Sequence, residues 1–170
     1  SVIVQELRKR GDNCYTVSRR AITQPNHITY NLLSQDKFSF HEMVDSLVFC
    51  QRERDETKSQ YALMVEATAN FLNNNWHFLN ESSAIVLVGS IAGRAVTVEQ
   101  NGPYHATRAA IESLARYYAV SNPIRNCRVN CVIPTTVIKP ENSMHFDEAN
   151  AERLLIEKIT PLKRMGTAKE

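Results

Sequence analysis

Two stretches of the 170-residue sequence decide its fold, IVLVGSIAG at residues 85–93 and YHATR at residues 104–108. The first is a continuous apolar run that ends at Ser90, as expected of a strand covered on both faces of a parallel sheet. The second opens a long helical stretch at Tyr104. A serine that ends a strand and a tyrosine that begins a helix can bring two hydroxyl groups to one substrate.

The rest of the chain is predicted to alternate between helices and strands. Helices are predicted at residues 2–10, ending at Gly11, and at 40–44, 59–73 and 104–120. Strands are predicted at residues 14–17, 27–30, 46–50, 85–88 and 128–133, and the charged run 51–58 is predicted to be a solvated loop. This alternation is typical of an α/β domain with a doubly wound parallel sheet. We expect one domain over residues 1–170.

The composition narrows the class of protein. The chain is 43% hydrophobic and 22% charged, which is ordinary for a globular domain, and its net charge of +2 is too small to favour nucleic acid or an anionic membrane. No window approaches the ~20 apolar residues of a membrane-spanning helix, and no signal peptide is visible. Cys14, Cys50, Cys127 and Cys131 form no C-x-x-C pair, so we predict free thiols in the cytoplasm and no metal site.

The order and spacing of these segments resemble the short-chain dehydrogenase/reductase family of the classical type. Tyr104 follows Ser90 by 14 residues, and the pair matches the family's Ser and Tyr-x-x-x-Lys signature, with Arg108 at the place of the lysine. Residues 128–134 resemble the sixth strand with its proline, and residues 161–166 resemble a late Pro-Leu-x-Arg-x-Gly segment. The resemblance implies a Rossmann-like doubly wound parallel sheet with helices on both faces.

The chain also departs from the family pattern. The first strand and its Gly-x-x-x-Gly-x-Gly turn are absent from the 170 residues, and residues 49–52, FCQR, replace an Asn-Asn-Ala-Gly turn. Ala62 stands about where the family has an asparagine, and Arg108 replaces the active-site lysine. The chain begins inside a helix and ends on a capping-box pattern at residues 167–170. We therefore expect the family domain to be truncated at both ends.

The resemblance implies an NAD(P)(H)-dependent oxidoreductase that interconverts a carbonyl and an alcohol on a small molecule. Tyr104 would be the general acid/base and Ser90 would orient the substrate oxygen. Arg108, four residues after Tyr104 on the same helix, would supply positive charge. The alternative is a non-catalytic nucleotide-binding or oligomerising domain of the same fold, in which Ser90 and Tyr104 are idle and Arg108 is a surface charge.

Cofactor contacts are implied at both ends of a dinucleotide. The residues concerned are Ser18, Arg19, Arg20, Asn31, Leu32, Phe49, Cys50, Tyr104, Arg108, Pro134, Thr135 and Val137. Arg19 and Arg20 follow the strand predicted at residues 14–17, which corresponds to the family's second strand, and Ser18 beside them is not acidic. Because arginine can pair with a 2′-phosphate, the resemblance implies that NADP(H) is preferred over NAD(H). The alternative for this pair is a solvated strand end. The resemblance also implies a homo-oligomer, a dimer or tetramer formed through the two long helices.

Overall fold

A computed structural model describes residues 2–34, 36–53, 58–96 and 100–170. Its strands are β1 Thr16–Ser18, β2 His27–Thr29, β3 Val44–Phe49, β4 Leu79–Val88, β5 Arg128–Val132, β6 Val137–Ile138 and β7 Gly166–Thr167. Its α-helices are α1 Val2–Lys9, α2 Ala67–Asn75, α3 Gly102–Ser121 and α4 Ala151–Ile159. The predicted α/β fold is confirmed. The chain forms two compact units, Ser18–Ala21 with Thr29–Pro134, and Ser1–Val17 with Ile22–Ile28 and Thr135–Glu170.

The larger unit is built on a parallel sheet in the order β3-β4-β5. Leu47 of β3 lies opposite Ile85 of β4, which lies opposite Val129 of β5. Ile85 and Leu87, which share one face of β4, have no solvent-accessible surface, whereas Val86 and Val88 on the other face are half-buried, so the predicted burial is complete on one face only. Because all three strands run in one direction, their carboxyl ends meet at one edge of the sheet, where β4 ends just before Ser90.

Two helical segments of the same unit form much of its core. A π-helical turn at Ala62–Glu66 leads directly into α2, and the face predicted from the sequence, Leu63, Ala67 and Phe71, is buried. The Tyr118 hydroxyl of α3 donates a hydrogen bond to Asn73 Oδ1 at 2.8 Å, which ties α3 to α2. The Asn101 side chain accepts the Tyr104 N–H at 2.9 Å and caps α3, so Tyr104 lies in the first turn.

The short helix predicted at residues 40–44 is wrong. Residues 40–43 have no helical hydrogen bonds, and β3 already begins at Val44. The physical reason lies in aromatic packing: the ring centroids of Phe40 and Phe38 are 6.0 Å apart, and those of Phe40 and Phe78 are 5.8 Å apart. These tertiary contacts of an extended segment outweigh its local helical preference.

The smaller unit contains α1, α4 and the parallel pair β6–β7, in which Val137 lies opposite Gly166. As predicted, α1 is followed by Gly11, whose φ of 92° is in the left-handed region that favours glycine. The Asn150 side chain caps α4 by accepting the Arg153 N–H at 2.9 Å. Within the described residues, no helix is long and apolar enough to cross a bilayer, and no group of three potential metal ligands occurs.

Candidate active site

Ser90 lies at the carboxyl edge of the sheet, two residues after the end of β4. The Gly89 N–H donates to the Val132 carbonyl at 2.9 Å, and the Ile91 N–H donates to the Pro134 carbonyl at 3.0 Å. The Ser90 Oγ accepts the Ala92 N–H at 3.2 Å and so begins a single turn of 3-10 helix over Ile91–Gly93. The half-buried hydroxyl of Ser90 is therefore held by backbone contacts on both sides.

The turn after Ser90 packs directly against α3. A Cβ on Gly93 would meet the Ala109 nitrogen and the Arg108 carbonyl carbon at 2.9 Å, so the two backbones touch at this point. His105 Nδ1 lies 2.7 Å from the Ala92 carbonyl oxygen. These contacts fix the serine turn against the helix that begins with Tyr104.

A second contact between the same turn and α3 is an ion pair. Arg94, the residue after the turn, places its Nε and Nη2 at 2.8 Å from Glu112 Oε2. The Glu112 carboxylate is buried, and its other oxygen, Oε1, has no hydrogen-bond partner in the described part of the chain. Burying a carboxylate is costly unless it is paired, so Arg94 compensates the charge of Glu112 at this position of the turn.

We expect the change Gly93→Ala to destabilise the fold by about 1 to 3 kcal/mol, because the added methyl group meets rigid backbone atoms. The matched control is Gly102→Ala, where a Cβ would meet nothing within 4 Å. Alanine favours a helix over glycine by at most about 1 kcal/mol, so the control should be neutral or slightly stabilising. Urea unfolding of both variants measures the difference, and equal free energies of unfolding would contradict the packing described above.

Two guanidinium groups approach the ring of Tyr104. The guanidinium carbon of Arg108 is 4.7 Å from the centre of the Tyr104 ring, and that of Arg52 is 5.7 Å from it. The phenol is half-buried. Both guanidinium groups are thus within the range of a cation–π contact with the ring. The arrangement is that of a candidate acid/base group.

Arg108 is only 5% exposed. It is therefore not a surface charge, the alternative left open by the sequence. Its Nη1 donates a long hydrogen bond of 3.4 Å to the Val88 carbonyl, and its Nε has no partner among the described residues. Burial lowers the pKa of the Arg108 guanidinium, and the charge and hydrogen bonding of Tyr104 oppose that shift. Arginine nevertheless stays protonated, so Arg108 presents a fixed positive charge and an open N–H beside the phenol.

A cleft of about 590 Å³ opens beside Tyr104 within the larger unit. The described residues that line it are Arg52, Glu53, Lys58, Ser59, Gln60, Tyr61, Gln100, Asn101, Pro103, Tyr104, Ala106 and Thr107. The lining is mostly polar, and its volume is that of a site for a small molecule.

The predicted adenosine end of the site contains an ion pair that the sequence did not reveal. Arg19 Nη1 lies 3.2 Å from Glu53 Oε2, and Arg19 Nη2 lies 3.5 Å from Glu53 Oε1. Glu53 is 3% exposed, so the predicted solvated loop is wrong at this position, because pairing with Arg19 allows the carboxylate to be buried. Residues 54–57 of that loop lie outside the described residues. The Ser18 Oγ donates to the Arg20 carbonyl at 2.9 Å.

The other predicted cofactor residues differ in exposure. Asn31 is exposed, and its side-chain oxygen accepts the Leu33 N–H at 3.2 Å, while Leu32 is half-buried. Phe49 is buried against Phe71, with ring centroids 5.7 Å apart. Cys50, the next residue, is exposed and free.

Pro134, Thr135 and Val137 follow β5. The Pro134 carbonyl accepts the Ile91 N–H and so belongs to the serine turn. Thr135 and Val137 belong to the smaller unit, where Val137 pairs with Gly166. The structure thus brings Ser90, Tyr104, Arg108 and Pro134 to one region of the larger unit.

Three residues of this region, Arg52, Arg94 and Glu112, are not among the site residues that the sequence predicts. The signal for Arg52 was its place, three residues after a buried strand that ends at the functional edge of the sheet. The sequence signal for Glu112 is its spacing, because it follows Arg108 by four residues and so lies on the face of α3 that carries Tyr104 and Arg108.

The chain has recognisable relatives in sequence and structure. Residues 44–170 match the profile of a family described as enoyl-(acyl carrier protein) reductase. A tropinone reductase homolog of Arabidopsis thaliana is 32% identical over 111 residues, which are 64% of this chain and 41% of that protein. The chain spans 29% to 41% of the length of the curated relatives it matches.

Solved structures share the fold. The crystal structure of a short-chain dehydrogenase family protein from Francisella tularensis superposes with a TM-score of 0.74 at 16% identity, covering 99% of this chain and 80% of that chain. The crystal structure of BdcA in complex with NADPH superposes with a TM-score of 0.60 at 20% identity, covering 75% of this chain and 55% of that chain.

Proposed function

The chain belongs to the short-chain dehydrogenase/reductase family of oxidoreductases, and from this premise we propose that it interconverts a carbonyl compound and an alcohol with a nicotinamide dinucleotide. The observation that carries the proposal is the half-buried phenol of Tyr104 beside the buried guanidinium of Arg108. A phenol in this position is a proton donor and acceptor at the edge of the sheet where ligands bind.

Tyr104 transfers the proton of the proposed reaction. In the direction of reduction, its hydroxyl protonates the carbonyl oxygen as the carbonyl carbon is reduced, and the phenolate then recovers a proton from solvent. In the direction of oxidation, the phenolate removes the proton of the alcohol. The fixed charge of Arg108 stabilises the phenolate in both directions.

Ser90 orients the substrate in this proposal. Its Oγ already accepts the Ala92 N–H, so the hydroxyl proton stays available for donation to a substrate oxygen. The backbone contacts of the serine turn with α3 support a fixed position of that hydroxyl relative to Tyr104. A preorganised donor of this kind stabilises charge that develops on the oxygen.

The residues at the nicotinamide end fit a dinucleotide. Arg108 has an N–H on Nε that is buried and without a partner among the described residues, so it can donate to the hydroxyl oxygens of a ribose. Its planar fork differs from the single ammonium of lysine, and its fixed protonation suits binding better than relaying protons. When bound, the dinucleotide supplies or accepts the hydride.

NADP(H) is our proposed cofactor, because two arginines follow β1 where an adenosine ribose is expected. Arg20 is exposed, and Arg19 is exposed but shares its charge with the buried Glu53. Pairing with Glu53 weakens Arg19 as a partner for a 2′-phosphate, so we propose that Arg19 and Arg20 contribute to this recognition together. One neighbour in fold is in complex with NADPH and another with NAD, so the neighbours support a nicotinamide dinucleotide and do not distinguish the two.

We expect Arg20→Ala to weaken NADPH binding by about tenfold or more and to leave NADH binding unchanged, since only NADPH carries the 2′-phosphate. Glu53→Gln should strengthen NADPH binding, because it releases Arg19 from a competing carboxylate. Calorimetric titration of both cofactors measures these differences, and Arg10→Ala, at the exposed residue that follows α1, is the control for a lost charge. Equal losses of NADPH and NADH affinity would show that Arg20 does not contact the 2′-phosphate.

The proposed function is tested by incubating the protein with NADPH and a panel of aldehydes and ketones. We expect each molecule of NADPH consumed to yield one molecule of alcohol from at least one compound of the panel. Dinucleotide binding without any conversion would contradict the proposal and favour the alternative of a nucleotide-binding domain.

A further inference from the structure

Arg52 stands at the mouth of the cleft beside Tyr104. It follows β3 by three residues, its side chain is exposed, and its guanidinium carbon lies 5.7 Å from the Tyr104 ring centre. Within residues 2–34, 36–53, 58–96 and 100–170, no carboxylate forms a salt bridge with it. An exposed guanidinium that touches the candidate acid/base group and has no such partner can receive an anionic group from a ligand.

The charges around the cleft favour an anion. Among the described lining residues, Arg52 and Lys58 are cationic and Glu53 is acidic. The Glu53 carboxylate faces Arg19, which compensates its charge, and the buried Arg108 adds a further positive charge behind Tyr104. The remaining polar lining consists of neutral amides and hydroxyls, which hydrogen-bond an anion without opposing its charge.

We propose that Arg52 makes this cleft a binding site for a carboxylate group, and that the substrate of the proposed oxidoreductase is therefore a carbonyl compound that also carries a carboxylate. This inference rests on the proposed function of Tyr104. The planar fork of a guanidinium matches the two oxygens of a carboxylate. A carboxylate held at Arg52 lies near Tyr104 in this proposal, so an adjacent carbonyl group can reach the residue that transfers the proton.

The phosphates of the dinucleotide also carry anionic oxygens, which are the second possible ligand of Arg52. The position of Arg52 favours the substrate, because its guanidinium lies against the ring of the residue that must meet the substrate carbonyl. The two sources differ in the effect of removing the Arg52 guanidinium. If Arg52 contacts the substrate, only the affinity for acids falls; if it contacts a phosphate, the affinity for the dinucleotide falls.

The experiment titrates the protein by calorimetry with pyruvate, 2-oxoglutarate and phenylglyoxylate, and with the methyl ester of each acid. We expect at least one acid to bind at least about tenfold more tightly than its ester. Arg52→Gln should remove that difference and leave the affinity for the ester and for NADPH unchanged. Arg10→Gln removes a positive charge from the exposed residue that follows α1 and should change neither affinity. Thermal unfolding of both variants should match that of the unchanged protein.

Three results would overturn the inference: no binding by any of the acids, equal binding of acids and esters, or a loss of NADPH affinity in Arg52→Gln that equals or exceeds the loss for the acid. Because binding is measured without turnover, the proposed function is tested separately. An acid that binds through Arg52 and is never reduced would support the carboxylate site and contradict the oxidoreductase activity.

Discussion

The change Tyr104→Phe should lower turnover by about a hundredfold to ten-thousandfold, which is the usual contribution of a positioned general acid. Only the hydroxyl is lost, and the ring that contacts Arg108 and Arg52 stays, so dinucleotide affinity should be nearly unchanged. Initial rates with NADPH measure turnover, and calorimetric titration measures the affinity for the dinucleotide. A loss confined to the rate identifies a proton donor rather than a binding residue.

The control for this experiment is Tyr117→Phe on the same helix. Tyr117 is 62% exposed and lies outside the cleft, so its hydroxyl should contribute nothing to turnover. A Tyr104→Phe variant that keeps its full rate across the pH range would show that the phenol is idle. In that event the alternative of a non-catalytic domain would explain the site better than catalysis does.

The change Arg108→Ala should lower turnover by about tenfold to a hundredfold and move its pH optimum upward. The positive charge that stabilises the Tyr104 phenolate is then missing, so a higher pH is needed to form the base. Arg108→Lys restores a cation at this position and should keep or raise the rate, because its compact ammonium suits single-point contact with a ribose hydroxyl. The pH dependence of turnover for the three proteins is the measurement.

Arg116→Ala is the matched control, since Arg116 lies on α3 two turns beyond Arg108 and is exposed. It should leave both the rate and the pH optimum in place. Because Arg108 is buried, its removal also leaves space in the core, and urea unfolding of each variant separates instability from a change in the chemistry. An Arg108→Ala variant that is folded and keeps the original pH optimum would contradict the electrostatic role.

The strands and helices of the larger unit follow well from local patterns. The apolar run before Ser90 predicts the buried strand β4, and the long helix predicted at residues 104–120 is confirmed within two residues at each end. Both depend on periodicity and on apolar character, which act over a few residues. The same reasoning places Ser90 and Tyr104 at the functional edge of the sheet, since parallel strands end there together.

The contacts that define the site could not be predicted, because they join distant parts of the chain. Arg19 and Glu53 are 34 residues apart, and Arg94 and Glu112 are 18 residues apart. Nothing in the local pattern around Glu53 indicates burial, since a carboxylate is buried only when a specific partner compensates its charge. The position of Arg52 against Tyr104 likewise depends on how the segment after β3 meets the start of α3.

Backbone irregularities were missed for a related reason. The segment Ala62–Glu66 is π-helical, although its composition predicts an ordinary α-helix, and π-helical turns depend on tertiary packing more than on the residues that form them. Tertiary packing also explains why residues 40–43 are extended and not helical as predicted, since Phe40 contacts other aromatic rings. Local preference determines an element only where the surrounding core does not demand another conformation.

The most direct test of the account follows the hydride. The protein is incubated with NADPH deuterated at the nicotinamide carbon that carries the hydride, together with carbonyl compounds with and without a carboxylate, and the products are analysed by mass spectrometry. The account predicts an alcohol with one deuterium on the former carbonyl carbon, formed at least about a hundredfold faster by the unchanged protein than by Tyr104→Phe. Bound NADPH without a deuterated alcohol from any of these compounds would contradict the central claim.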